Sequence, residues 1–182
     1  RLGKQVLHWG SASIWNPTDP FPEVFFADPW AERRGITGVR CSRLLDEERE
    51  QHVTFFATLE NDQAFQRQYL IRYSELRGAT DCAFTLGFDD KEQSPWLGCD
   101  FRGEDVVGWW CEASWRDKTA FGRQWEAVVG IDYSFDVKQG LLCVLQHYRR
   151  DRALEGQVSY FSFLASLNFS DDVTPSLTIL RN

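Results

Sequence analysis

Five cysteines, three histidines and a scatter of carboxylates are the side chains of this 182-residue chain with the most obvious chemical potential. A structural metal site needs several such ligands at short, repeated spacing, as in a CxxC pair matched by a second pair or by histidines. Cys41, Cys82, Cys99, Cys111 and Cys143 form no such pair, and His8, His52 and His147 fall in separate segments. No metal site is therefore expected. Nucleophilic and phosphoryl chemistry lack their signatures too, because there is no GxSxG turn and no glycine-rich phosphate cradle, and the acidic run Asp46-Glu47-Glu48 reads as a solvated turn. These absences point to a chain with no catalytic residue and no cofactor. The odd cysteine count cannot pair completely, which argues against a disulfide-stapled module.

What remains is a set of charges that recur on one side of alternating segments: Arg40, Arg72, Asp81, Asp100, Arg102, Glu112, Arg116, Glu126 and Asp132. Facing an aqueous lumen, they would set an electrostatic cross-section that favours small hydrophilic solutes. On a soluble sheet the same charges would form a solvated outer face. A net charge of −7 and a pI near 5.0 leave no clustered basic surface for a phosphate backbone, so nucleic acid is not an expected partner.

The elements that carry these charges are strands. Aromatic residues are abundant, with 14 Phe, 8 Trp and 5 Tyr, yet the mean hydropathy is −0.41, so apolar side chains are interleaved with polar ones. In 123–135, Trp125, Ala127, Val129, Ile131, Tyr133 and Phe135 alternate with Gln124, Glu126, Val128, Gly130, Asp132 and Ser134, a period of two that a helix would scramble. The segment 158–170 repeats the pattern with Phe161, Phe163, Ala165, Leu167 and Phe169 on one side. Similar runs at 1–9, 36–44, 51–60, 67–74, 79–88, 96–102, 106–116, 141–149 and 173–180 bring the expectation to about eleven strands with no helix in one domain. No stretch reaches the roughly 18 to 20 apolar residues of a membrane helix, but a barrel strand needs only about 9 to 11 with one polar side.

The connections point the same way. Links at 45–50, 61–66, 75–78, 89–95, 103–105, 117–122, 136–140, 150–157 and 171–172 read as alternately longer and shorter, the rhythm of a membrane barrel with short turns at one end and longer loops at the other. The segment 16–34 contains Pro17, Pro20, Pro22 and Pro29 and reads as a loop. Its acidic residues Asp19, Glu23 and Asp28 would stand in a constriction if it folds into the mouth, and on a rigid surface loop if it does not.

Residues 1–20 carry Gly3-Lys4-Gln5, Trp9-Gly10 and Asn16-Pro17-x-Asp19, and this element resembles one that recurs in large bacterial outer-membrane porin-like proteins. The runs GIDYSF at 130–135 and SLNFSDD at 166–172 are similar to strand ends and tight turns of such barrels. The resemblance implies an antiparallel up-and-down transmembrane β-barrel in the outer membrane. It further implies contact with outer-membrane lipid, passive diffusion of small hydrophilic solutes, and oligomer or envelope-complex partners. Single-chain barrels usually have an even strand number and commonly end in an aromatic residue, whereas about eleven strands and a terminus at Asn182 are read here. With no initiator Met the chain reads as a mature or trimmed segment, and the abrupt start of its first strand and end of its last read as part of a larger barrel.

On this reading Trp109, Trp115, Trp125, Val129, Ile131, Tyr133, Phe161, Phe163 and Leu167 face lipid. Trp96, Trp115, Trp125, Tyr133 and Tyr148, near strand ends, are candidates for an interfacial aromatic girdle. Cys82, Cys111 and Cys143 share the parity of apolar neighbours and act as small hydrophobes. Two other readings stay open: a soluble β-barrel or β-sandwich that binds a ligand among its aromatics, and a structural barrel subunit of an envelope complex.

Overall fold

The computed structural model describes residues 1–12, 14–21, 35–59, 67–118, 122–136, 140–167 and 176–181. Their period-two alternation gives, among the described residues, eleven strands and no helix: β1 (Leu2–Gln5), β2 (Ile36–Asp46), β3 (Gln51–Thr58), β4 (Gln68–Arg77), β5 (Thr80–Asp89), β6 (Ser94–Glu104), β7 (Gly108–Lys118), β8 (Gly122–Phe135), β9 (Leu141–Arg152), β10 (Gly156–Leu167) and β11 (Ser176–Arg181). Every strand pairs antiparallel with its neighbours in sequence, so one up-and-down sheet runs from β1 to β11 in chain order.

Three expectations need correction. The sheet is open, not a closed barrel, because β1 and β11 each pair on one side only among the described residues. The first strand stops at Gln5 instead of continuing to Trp9, since Leu7 and Trp9 turn away from the sheet edge and bury in an apolar cluster. The rhythm of links fails in the second half, where β9 runs on to Arg152 and β10 starts at Gly156, leaving a three-residue turn in place of the longer link expected at 150–157. Cross-strand pairs reward such extension even where the side chains are polar. The expected tight turn Asp171-Asp172 lies outside the described residues.

The sheet's two faces differ in an unusual sense. One face presents bare apolar side chains, among them Leu86, Val129, Ile131, Leu145, Phe161 and Phe163, each between 36% and 52% exposed. Their immediate neighbours Thr85, Val128, Gln146 and Ser162 point the other way and are at most 3% exposed. A soluble sheet buries its apolar face and wets the other; here the polar-rich face is the covered one.

The apolar band crosses the sheet on a diagonal. Followed strand by strand through its cross-strand partners, Phe163 leads to Leu145, Ile131, Trp109, Gly103 and Thr80, and reaches β4 at Arg77. Yet the exposed apolar group of β4 is centred on Ile71, between Tyr69 and Tyr73. The band has thus drifted from 71 to 77, six residues over the six steps from β4 to β10, or one residue per strand. With a rise of ~3.3 Å per residue and strands ~4.8 Å apart, that drift corresponds to a strand tilt of ~35° from the normal of a flat slab. Membrane barrels tilt their strands by roughly 35–45°.

The edges of the diagonal are aromatic and its middle is aliphatic. Tyr69, Phe88, Trp115, Trp125 and Phe161 follow one edge, Tyr73, Phe84, Phe101, Trp109 and Tyr133 the other, with Ile71, Leu86, Val129 and Leu145 between them. From β3 onward the charged residues of this face flank the band, with Asp117, Arg123, Arg149, Asp151 and Arg181 on one side and Glu75 and Arg77 on the other. Arg149 lies 5.4 Å from the Trp125 ring centre, a cation over an aromatic edge. Along β8 the band runs from Trp125 to Phe135, which at ~3.3 Å per residue and ~35° tilt is ~27 Å thick, close to the roughly 25 Å apolar belt of an outer-membrane barrel.

All five cysteines are free, and their register places them on this face. No helix among the described residues is long and apolar enough to cross a membrane, which has no bearing on strands.

Candidate functional site

The covered face is filled by the chain's own segment Val6–Phe21, inserted between β1 and β2. Asn16-Pro17-Thr18-Asp19 is a tight turn, with the Asp19 amide donating to the Asn16 carbonyl at 3.2 Å and Pro17 at the position where its fixed φ suits the turn. The segment enters along β3, β4 and β6, where Leu7, Trp9 and Phe21 pack with Ile36, Phe56, Leu70 and Trp96. It then reaches β9 and β10, where Ala12 and Trp15 pack with Trp110, Val128, Tyr148 and Tyr160. Phe21, packed on β3, lies only three positions after Thr18, which is bonded to β7, so one turn of the segment touches both strands.

Side chains of the sheet hold the segment by its main chain. Glu112 is fully buried. One of its carboxylate oxygens accepts from the amides of Ser11 and Ala12, the latter at 2.6 Å, and the other accepts from the Thr18 amide at 3.4 Å and the Thr18 hydroxyl at 2.9 Å. Arg116 donates to the carbonyls of Pro17 at 3.2 Å and Asp19 at 3.1 Å, and its guanidinium stacks 4.6 Å from the Trp96 ring centre. Gln146 uses both ends of its amide, donating to the Trp15 carbonyl at 3.2 Å and accepting from the Ile14 amide at 3.4 Å. A carboxylate, a guanidinium and an amide taken out of water are costly unless they are hydrogen-bonded; here main-chain groups of the segment and the Thr18 hydroxyl engage all three, and only the Arg116 Nε is left without a hydrogen-bond partner.

Glycines on the same wall make room for indoles. A Cβ at residue 130 would sit 2.2 Å from the Trp110 ring, and one at residue 87 would sit 1.9 Å from Trp96. Only glycine allows either ring to lie flat against the sheet.

The nine charges expected to line a lumen all take the covered face by register. Arg72 and Asp100 form a bidentate pair at 2.7 and 2.8 Å, with a third bond from Arg72 to Thr85 at 3.1 Å. Glu112 and Arg116 serve the inserted segment, and Glu126 accepts the Tyr148 hydroxyl at 2.7 Å. Asp132 stands over Gly108. Arg40, Asp81 and Arg102, together with the Arg72–Asp100 pair, His52 and Trp9, line an open pocket of about 510 Å³ beside the segment. Several of the charges are thus engaged internally, whereas both sequence expectations, a lumen and a solvated outer face, have them facing water.

Of the expected lipid-facing residues, Trp109, Trp125, Val129, Ile131, Tyr133, Phe161 and Phe163 are exposed on the apolar face, and Trp115 is partly exposed there. The Leu167 side chain lies outside the described set. Two girdle candidates are misplaced: Trp96 and Tyr148 point inward and are 2% and 6% exposed, because their register puts them on the covered face. Asp19 is fully buried, its carboxylate accepting from the Phe21 amide at 3.0 Å, so this end of the proline-rich segment is an internal strut instead of a free charge at a mouth. Glu23 and Asp28 lie outside the described residues. Sequence reasoning missed Trp9, Trp15, Thr18, Gln146 and Tyr160. Only Gln146, polar between Leu145 and His147 in an apolar strand, offered a signal.

Among the described residues, no three His, Cys, Asp or Glu side chains converge as metal ligands. Compared with family models, curated proteins and solved structures, the chain has no match in any of the three.

Proposed function

We propose that this chain forms wall of an outer-membrane, porin-like β-barrel, with its apolar band in lipid and its covered face turned to an aqueous lumen through which small hydrophilic solutes diffuse. The observation that carries this reading is the exposed apolar face: bare aliphatic side chains in a diagonal, aromatic-edged band, set against a covered face on which Thr, Ser, Gln, Asp and Glu are interleaved with apolar residues such as Phe56, Leu70, Trp110 and Val128. Exposed apolar surface on soluble monomers seldom exceeds a few hundred Å² in one patch; lipid gives a band spanning eight or more strands a reason to exist. The open sheet would be one arc of a larger barrel. In that setting Val6–Phe21 is an internal constriction, and the pocket beside it is the open part of the lumen.

A soluble ligand-binding module is the weaker reading, because its aromatics would be expected to line a cavity and here most of them stand outside. A structural sleeve in an envelope complex draws support from one observation, the filled interior. Planar bilayers carrying the complete protein test the channel directly. Stepwise conductance is the expected result, and folded, inserted protein that never conducts would leave the sleeve, which copurifying envelope proteins would identify.

A further inference from the structure

Resting on the reading that the apolar band lies in lipid, we propose that Arg149, Ser159 and Arg181 form an external site for the phosphate of an anionic lipid headgroup, with Trp125 as its apolar shoulder. Arg123, Arg149 and Arg181 are exposed along one flank of the bare face, and among the described residues none of their guanidinium groups makes a hydrogen bond or an ion pair. On the opposite flank Arg77 pairs with Glu75. A free guanidinium is a fixed positive charge whose planar fork of donors matches two oxygens of a phosphate.

Register gathers two of these arginines around one hydroxyl. Ser159 on β10 is the direct partner of Arg149 on β9, and Arg181 on β11 is the partner of Phe161, the next residue of the same face after Ser159. Two strand spacings and about two residues separate Arg149 from Arg181, ~12 Å, a gap that two long side chains close over one phosphate. The Ser159 hydroxyl meets His147 Nε2 at 2.8 Å, and the imidazole lies flat on Phe161 with ring centres 4.3 Å apart. With the proton on Nε2, His147 donates to Ser159 and leaves the hydroxyl hydrogen for a phosphate oxygen. Arg149 also lies 5.4 Å from the Trp125 ring centre, at the edge of the band, the depth where amphipathic rings meet headgroups. Charge favours an anion. Asp117 is the cross-strand partner of Arg123, which leaves Asp151, beyond Arg149 on the side away from the band, as the strand carboxylate set against Arg149 and Arg181 among the described residues of this face.

The test titrates the complete, detergent-folded protein with short-chain phosphatidic acid, and with phosphatidylcholine of the same chain length as reference, and reads the heat of binding. Phosphatidic acid is expected to bind about tenfold more tightly, the scale of one to two guanidiniums at an anionic surface. Arg149→Gln combined with Arg181→Gln is expected to remove that preference, either change alone to lower it about threefold, and Arg123→Gln to leave it in place. Should the double variant fold poorly, Ser159→Asp sets a negative charge between the two guanidiniums and carries the same expectation. Equal affinity for the two lipids, or a preference that survives in these variants, overturns the site. Inorganic phosphate that displaces the lipid as well as phosphatidic acid does would make free phosphate the occupant and overturn the lipid. A chain that conducts in planar bilayers but has no headgroup preference sinks the site and leaves the channel standing. A preference that depends on Arg149 and Arg181 in a chain that never conducts does the reverse.

Discussion

Strand β8 carries two surfaces with opposite demands. On one side Trp125, Val129 and Ile131 stand 38 to 49% exposed and touch little; on the other Gln124, Val128 and Gly130 are buried under the inserted segment and its neighbours. The outer surface asks only for a composition, aliphatic in the middle and aromatic at the edges. The inner surface asks for particular partners, such as Glu112 for three segment residues and Gly130 for one indole. Substitutions should therefore be judged outside by polarity and inside by fit.

The largest expected effect is a charge in the middle of the band. Val129→Arg should cost about 2–4 kcal/mol of folding into bilayers, as for cations at the midplane of a barrel, while Ser134→Arg, exposed on the opposite face near a strand end, should cost far less. Equal refolding yields into lipid vesicles for the two would erase the distinction between the faces. Next is Glu112→Ala, which leaves the Ser11, Ala12 and Thr18 donors without their acceptor and should cost about 1–3 kcal/mol. Single-channel conductance is expected to rise as the segment loosens, and an unchanged conductance would mean that the segment does not constrict the path.

Gly130→Val should lower thermal stability by about 1–3 kcal/mol through overlap with Trp110. Trp110→Ala in the same chain should return part of that loss, a coupling that a double-mutant cycle measures. The smallest effect belongs to Trp125→Leu, which keeps the surface apolar and gives up a ring at the band edge beneath Arg149, about 0.5–1 kcal/mol on the scale of an exposed cation–π pair. A loss above that of Glu112→Ala would show that the outer face is held by specific contacts after all.

Much of the sheet was legible because alternation survives wherever one side chain in two is apolar. Residues 123–135 and 158–167 declare both their strands and their faces. The inserted segment was not legible. Val6–Phe21 has no periodicity, and its placement depends on Glu112, Arg116 and Gln146, which lie roughly a hundred residues or more away in sequence. Proline content marked 16–34 as irregular but carried no direction, so Asp19 could be read as a mouth charge as readily as a buried strut. Trp96 and Tyr148 were assigned to an interface by their position near strand ends, when side-chain parity alone decides which way a ring points.

Spin-label accessibility in reconstituted protein, with the native cysteines replaced, tests the inverted faces most directly. Labels at Leu86, Val129 and Phe163 should meet oxygen dissolved in the bilayer and be shielded from a water-soluble nickel chelate, while labels at Thr85, Val128 and Ser162 should lose that oxygen preference. Nickel access at Val129 equal to that at Ser134, or outer positions protected from both probes inside a protein that stays dispersed without detergent, would contradict it.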